Sequence, residues 1–274
     1  MMKAQEIIRR IERSAPLHLQ EDWDKSGVQI AGDREDVHRL ALSLDPTPAF
    51  VTAALAWGAD FLLSHHPLTL APRLPAAHDS YRETLRLVLC SGAWLYAAHT
   101  SLDSMTGGPV SWLADELSLR NLAPLVPSAA DPAVGLGFVG DLPEPEDAKG
   151  FLARLQGLTG RGFATLCGPE AGRDGGSIRR VACCPGSGAS LMERAAAVHA
   201  DVFVTGDVKY HQAQEAPLPV VDVGHFCLEE EMMRRLCAAM ADDLGALGVE
   251  VRFFPGVEPI RLLSGGPRGV RNGD

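Results

Sequence analysis

Residues 58–66, Gly58-Ala59-Asp60-Phe61-Leu62-Leu63-Ser64-His65-His66, carry the clearest fold signal in the chain. Three consecutive large apolar residues follow a small-residue turn and end on a polar Ser-His-His, with Pro67 next. A short unbroken apolar run between turn signals is the pattern of a strand buried on both faces, as in a parallel sheet covered by helices. The pattern returns at His199-Ala200-Asp201-Val202-Phe203-Val204-Thr205-Gly206-Asp207.

Working outward from these two stretches exposes an internal repeat. The first is preceded by Ala41-Leu42-Ser43-Leu44-Asp45-Pro46 and the second by Val181-Ala182-Cys183-Cys184-Pro185-Gly186, each an apolar strand leading into a helix. Downstream, residues 95–103 (LYAAHTSLD) and 220–229 (VVDVGHFCLE) each give a third strand ending in His, three residues, then a carboxylate. Those pairs are His99 with Asp103 and His225 with Glu229. The chain therefore reads as a duplicated strand–helix–strand unit.

The remaining patterning fits an α/β class with crossover helices. It predicts strands at 40–44, 60–63, 93–97, 134–139, 178–183, 202–205 and 220–223. Helices are predicted at 47–57, 80–91, 110–117, 145–158, 189–199 and 228–247, with an amphipathic first helix ending before Pro16. Pro and Gly cluster at 124–132 and 168–176, which read as loops or linkers, and the Gly-rich tail 264–274 reads as frayed. The expected architecture is two related α/β lobes, 1–127 and 128–274, with a site between them at strand C-terminal ends.

Composition narrows the function classes. The chain has 274 residues, 46% hydrophobic and 22% charged, which is ordinary globular usage. No apolar stretch approaches the roughly 18 residues of a membrane span, and the N-terminus lacks the apolar run of an export signal. A net charge of −10 disfavours a generic nucleic-acid binder, which needs positive surface to release phosphate counterions. The six cysteines form no CxxC pair, as expected of thiols in a reducing compartment. The expectation is a soluble cytoplasmic protein.

Three segments carry metal chemistry. Ser64-His65-His66-Pro67 delivers two imidazoles to the end of a buried strand, where α/β sheets build their sites. His99-Thr100-Ser101-Leu102-Asp103 adds a hard oxygen donor in Asp103, which could equally be a helix cap, and His99 as ligand or outer partner. Gly224-His225-Phe226-Cys227-Leu228-Glu229 places His225 and Glu229 one turn apart on a helix start, where the dipole also favours a carboxylate. Glu230 and Glu231 read as a solvated acidic helix start, and Cys227 as a packing residue. Together His65, His66, Asp103, His225 and Glu229 make the imidazole and carboxylate set that divalent metals require. Five donors exceed the needs of one open zinc site and suit two metals sharing a carboxylate bridge, for which Glu229 is the candidate.

The segments Trp23-Asp24-Lys25-Ser26-Gly27-Val28-Gln29, LSHHPL at 63–68, AHTSLD at 98–103, TGDVKYHQA at 205–213 and GHFCLE at 224–229 resemble the Nif-three-like dinuclear-metal proteins. These are also named GTP cyclohydrolase I type two homologues. The likeness runs from Ala15 to Ile260 with the motifs in family order. It implies the same five metal ligands, two α/β lobes and a ring-shaped homohexamer built as a trimer of dimers. Lys25 and Ser26 stand where the family often has Asn after the Trp-Asp pair, and Ser101 replaces another usual Asn. Neither departure touches an expected ligand.

The expected activity is metal-dependent hydrolysis of a small molecule, GTP cyclohydrolase-like or phosphoesterase-like, with His99 or His211 as proton shuttle. The cofactors would be two divalent ions of zinc, iron, manganese or nickel. Asp207 and His211 could position substrate or shuttle protons and Lys209 could meet an anionic group, or their segment could be a structural strand-end turn; the turn Pro185-Gly186-Ser187-Gly188 could cradle a phosphate or be a plain tight turn. The alternative is a non-catalytic metal scaffold or regulatory ring.

Overall fold

The computed structural model describes residues 1–169 and 177–261. The predicted tail 264–274 and most of the predicted loop 168–176 lie outside the described residues. In chain order the strands are β1 (Met2–Lys3), β2 (Gly27–Ile30), β3 (Asp36–Val37), β4 (Arg39–Ser43), β5 (Phe61–Ser64) and β6 (Trp94–Ala97). They continue as β7 (Arg120–Pro127), β8 (Gly135–Glu146), β9 (Thr165–Cys167), β10 (Ile178–Cys183), β11 (Val202–Thr205), β12 (Val220–Asp222) and β13 (Glu250–Phe253). The helices are α1 (Ala4–Ser14), α2 (Pro48–Trp57), α3 (Ser80–Ser91), α4 (Thr100–Asp103) and α5 (Trp112–Glu116). After them come α6 (Ala148–Thr159), α7 (Met192–Ala197), α8 (Tyr210–Gln214) and α9 (His225–Gly245).

Two mixed sheets form, ordered β13-β4-β5-β6-β2 and β7-β8-β10-β11-β12-β9. The duplication is visible in them. β4, β5 and β6 run parallel, with β2 antiparallel on β6. β10, β11 and β12 run parallel, with β9 antiparallel on β12. The aspartates before β5 and β11 even do the same work. Asp60 accepts from the backbone N–H groups of His38 and Arg39, and Asp201 from those of Arg179 and Arg180. Each ties the start of its strand to the strand beside it, so one carboxylate, buried at Asp60 and exposed at Asp201, satisfies two donors that the ladder leaves over.

The apolar runs that predicted the parallel strands are buried on both faces. Phe61, Leu62, Leu63, Val202, Phe203 and Val204 are all fully buried. Helix starts follow from local chemistry: Thr47 caps α2 by accepting from Phe50 N, with Pro48 at the first helical position, and Asp79 caps α3. α9 supplies Leu228, Met232, Met233 and Leu236 to one buried cluster that also holds Leu42 and Leu63 from the first sheet and Val204 and Val221 from the second. Trp112 adds a buried indole N–H donated to Leu228 O at 2.9 Å. The two sheets thus share a core across the helix that carries Glu229.

The structure corrects several expectations. Residues 120–127 form β7 rather than the start of a linker; as an edge strand it tolerates Pro124 and Pro127, whose missing N–H groups break no interior ladder. β8 runs on to Glu146, so Pro145 and Glu146 belong to a strand, and α6 begins only after Asp147, which caps it. The helices predicted at 110–117 and 189–199 each begin as a 3₁₀ turn and end at Glu116 and Ala197. The one predicted from 228 starts at His225. The expected boundary at 127/128 does not separate the sheets: β7 precedes it yet joins the second sheet, and β13 returns to pair with β4 in the first.

Candidate metal centre

The site lies where the parallel strands of both sheets end. Asp45 follows β4, His65 and His66 follow β5, and His99 follows β6. On the other side Gly186 follows β10, Asp207 follows β11, and His225 and Glu229 open α9 after β12.

Four imidazoles are held the same way. His65 Nδ1 faces Ala98 O at 2.8 Å, and His66 Nδ1 faces Asp45 Oδ1 at 2.7 Å. His99 Nδ1 faces Asp24 Oδ1 at 2.6 Å, and His225 Nδ1 faces Asp207 Oδ2 at 2.7 Å. Each partner is an oxygen that can only accept, so each Nδ1 carries a proton, which leaves Nε2 as the atom that would face a metal ion. That is the arrangement of histidines that ligate metals, with an outer acceptor fixing tautomer and direction.

The Nε2 ends and the carboxylates converge. Donor atoms of His65, His66 and His99 lie within 4.8 Å of one another, as do those of His66, His225 and Glu229, so His66 belongs to both groups. Glu229 Oε1 is 3.6 Å from His65 Nε2, while Oε2 is 3.2 Å from His66 Nε2 and 2.7 Å from His225 Nε2. Asp103 Oδ1 joins at 3.7 Å from His65 Nε2. Although so close, His65 Nε2, Asp103 Oδ1 and Glu229 Oε2 have no hydrogen-bonding partner in usable geometry and are buried. Buried polar atoms left unmatched are costly, and three aimed at one place fit a cation that would bridge them.

The electrostatics agree. Burial opposes a charged His66, yet the Asp45 and Glu229 carboxylates raise its pKa to about 10. Burial likewise opposes a charged His225, and Glu229 with Asp207 raises it to about 9. Burial works against ionised Glu229 too, but His65, His225 and His66 hold it well below the usual carboxylate range. For Asp103 burial dominates and pushes the carboxyl upward, against the His65 imidazole and with the Glu229 charge. Without a cation the pocket balances its charge with protons on imidazole, and a divalent ion would displace them.

All five expected ligands are therefore brought together. His99, expected as a shuttle, lies among the donors, grouped with His65 and His66 and with its ring centre 5.1 Å from that of His65. His211 does not join them: it is exposed on α8, its ring edge-on to Tyr210. Lys209 is exposed as well. Asp207 works on His225 directly, from a left-handed backbone at φ +57. The turn at Pro185 is a close-approach turn: a Cβ on Gly186 would lie 2.0 Å from Glu229 Oε1. Asp24 and Asp45 were missed as functional residues. Asp24 is buried, its carboxylate held far below the usual range against burial by hydrogen bonds from His99, Thr100 and Ser26. The two family departures also meet here, since Ser101 Oγ donates to Ser26 Oγ at 3.1 Å, beside His99.

Among the described residues no helix is long and apolar enough to cross a membrane. A protein of Streptomyces coelicolor named GTP cyclohydrolase 1 type 2 homolog is 31% identical over 239 residues, covering 84% of this chain and 82% of the relative. The solved structure titled reduced HcgD from Methanocaldococcus jannaschii is 28% identical, with a TM-score of 0.75 over 93% of this chain and 97% of that one. A Bacillus cereus protein related to NIF3 shares the fold at a TM-score of 0.85 and 21% identity, covering 95% of this chain and 99% of its own. The family pattern described as Duf34/NIF3 (NGG1p interacting factor 3) matches residues 2–258. On fold, donor set and sequence, the chain belongs to the DUF34/NIF3 family.

Proposed function

We propose that this protein binds two divalent cations between its sheets and hydrolyses a small-molecule substrate there. The observation that carries this reading is the convergence of unmatched, buried His65 Nε2, Asp103 Oδ1 and Glu229 Oε2 beside an open cavity. His65, His66, Asp103, His225 and Glu229 would hold the ions, with Glu229, reached from three imidazoles, as the shared ligand. Zinc, iron, manganese or nickel would suit such donors. Bound there, divalent ions supply Lewis acidity and a water acidic enough to ionise near neutral pH.

The chain's own residues have defined tasks in this reading. Asp45 and Asp207 fix the rings of His66 and His225, and Asp24 fixes His99. His99 Nε2 then stands ready to hold or release a proton beside the donors. The side chains of His66 and His225 are 24% and 30% exposed, so ligands can reach the donors. That exposure favours an enzyme over a closed structural scaffold. A homohexamer belongs to the same proposal, supported by family membership, and light scattering of the purified protein checks it.

Elemental analysis of the purified protein, of Glu229→Gln and of His66→Ala tests the metal assignment. Loss of metal in both variants is expected, and full retention in both would refute it. A screen of nucleotides and phosphoesters, with and without chelator, tests the chemistry. Turnover that ignores chelation would refute the metal-dependent reading.

A further inference from the structure

The cavity beside the donors has a volume of about 300 Å³, within the range of small-molecule sites. His66 and His225 form its floor, and Phe226, Pro259 and Ile260 give it an apolar wall. Among the described residues Arg161 is the one Lys or Arg lining it.

The guanidinium of Arg161 is poorly matched for its burial. Its side chain is 12% exposed, and it sits 4.4 Å from the centre of the Phe163 ring. Among the described residues its one hydrogen bond runs from Nη1 to Val223 O at 2.6 Å. Its ion-pair partner is Glu258, whose Oε2 stays 3.6 Å from Nη2, beyond hydrogen-bond reach. A guanidinium carries five N–H donors in a planar fork, so most of them have no acceptor among the described residues. Its partner sits only at ion-pair distance, which leaves the fork open to a ligand entering the cavity that Arg161 lines. Oxygen pairs of a carboxylate or phosphoryl group close such a fork bidentately.

The backbone makes room for this arginine at the metal-binding helix itself. Gly224, at φ +86 just before His225, has no Cβ; one placed there would lie 1.5 Å from Arg161 Nη1. Glu258 belongs to the irregular segment after β13, which is tied down by Gly256 N donating to Glu230 Oε1 at 2.9 Å. The arginine is thus fixed by the protein, while its counter-charge comes from a stretch without regular structure.

We infer that Arg161 is the specificity-determining residue of this site. It anchors a carboxylate or phosphoryl group set away from the reacting bond, and Glu258 holds that place until the ligand arrives. The ligand class is a small organic anion with an apolar or planar body, lying along Phe226 and Ile260 with its reacting end toward His66 and His225. Its meaning as substrate selection rests on the metal-dependent hydrolase reading.

The test is calorimetric binding of 4-nitrobenzoate and 4-nitrobenzamide to the full chain, both zinc-loaded and stripped by chelation. The two probes share a body and differ in the anionic group, and in stripped protein no metal can hold the carboxylate. Wild type is expected to bind the acid about tenfold or more tightly than the amide in both forms, as a charge-assisted bidentate pair would give. In stripped protein Arg161→Gln should bring the ratio toward one, and Glu258→Gln should raise it above wild type by vacating the fork. In stripped protein, no preference in wild type, or a wild-type preference unchanged by Arg161→Gln, would overturn the inference. If Arg161→Gln fails to fold, Glu258→Gln decides: a ratio unchanged or lowered overturns it. Loss of the hydrolase reading would show up separately, as an acid preference in a protein that turns nothing over.

Discussion

Gly186→Ala should remove the metal site without touching a single donor. A Cβ at this position would sit 2.0 Å from Glu229 Oε1 and 3.0 Å from its Cδ, with His225 Cε1 at 3.5 Å. Ordinary contact begins at 3.4 Å, so carboxylate and methyl must separate by 3.4 − 2.0 = 1.4 Å. Functional groups need placement within about 0.5 Å, so a shift of that size takes Glu229 out of the donor set. The backbone at φ +64 adds strain of about 1 to 3 kcal/mol for a residue with a Cβ. Metal affinity is expected to fall at least 10- to 100-fold, roughly the loss seen when an outer partner of a ligand is removed. Competition with a chromophoric chelator measures the affinity, and a thermal melt of chelated protein measures the strain separately. Gly157→Ala, inside α6 with nothing within 4 Å of its Cβ, is the control and should be neutral or stabilising by about 1 kcal/mol. Gly186→Ala with wild-type metal affinity would refute the placement of Glu229 as a ligand.

Asp45→Asn keeps the size of the residue that orients His66 and should weaken metal binding about 10- to 100-fold; unchanged affinity would leave Asp45 without a role at the site. For chelated protein, His66 and His225 have pKa values raised to about 10 and about 9 from 6.5. Their contribution to stability is therefore complete below about pH 6.5 and disappears as pH rises through 9 to 10, so the melting temperature should drop across that window. Metal-loaded protein, having exchanged those protons for cations, should not show the drop, and calorimetry in buffers of different ionisation enthalpy should detect proton release on loading. Asp60→Ala orphans two backbone N–H groups, loses Arg34 and should cost about 1 to 3 kcal/mol in denaturant melts; Asp201 is exposed, water can take its place, and Asp201→Ala should cost less, so a larger loss at Asp201 than at Asp60 would refute this account.

Phe61-Leu62-Leu63 and Val202-Phe203-Val204 revealed the parallel strands because burial on both faces leaves a sequence no alternative to continuous apolar character. The candidate ligands were legible for a related reason: His-x3-acid recurs at equivalent strand ends, and a repeat carries information that a lone His does not. Edge strands were not. Gly27-Val28-Gln29-Ile30 and Glu250-Val251-Arg252-Phe253 are short and partly exposed, so their composition hardly differs from that of loops. β7 hid behind its prolines. Asp24 and Asp45 were invisible as orienting groups because an isolated Asp signals turn or cap, and only three-dimensional proximity shows which imidazole it faces. His211 was misleading for the converse reason: the motif containing it does serve the site, but through Asp207, while α8 turns the histidine to the surface.

β13 closes the first sheet from the far end of the chain, and this bears on synthesis. A nascent polypeptide emerging from the ribosome exposes β4 with one side unpaired until residues 250–253 have been made. An uncovered strand edge invites association with other chains. The N-terminal half expressed alone should therefore tend to clump, and the candidate donors can come together only late in translation, once the start of α9 has been made.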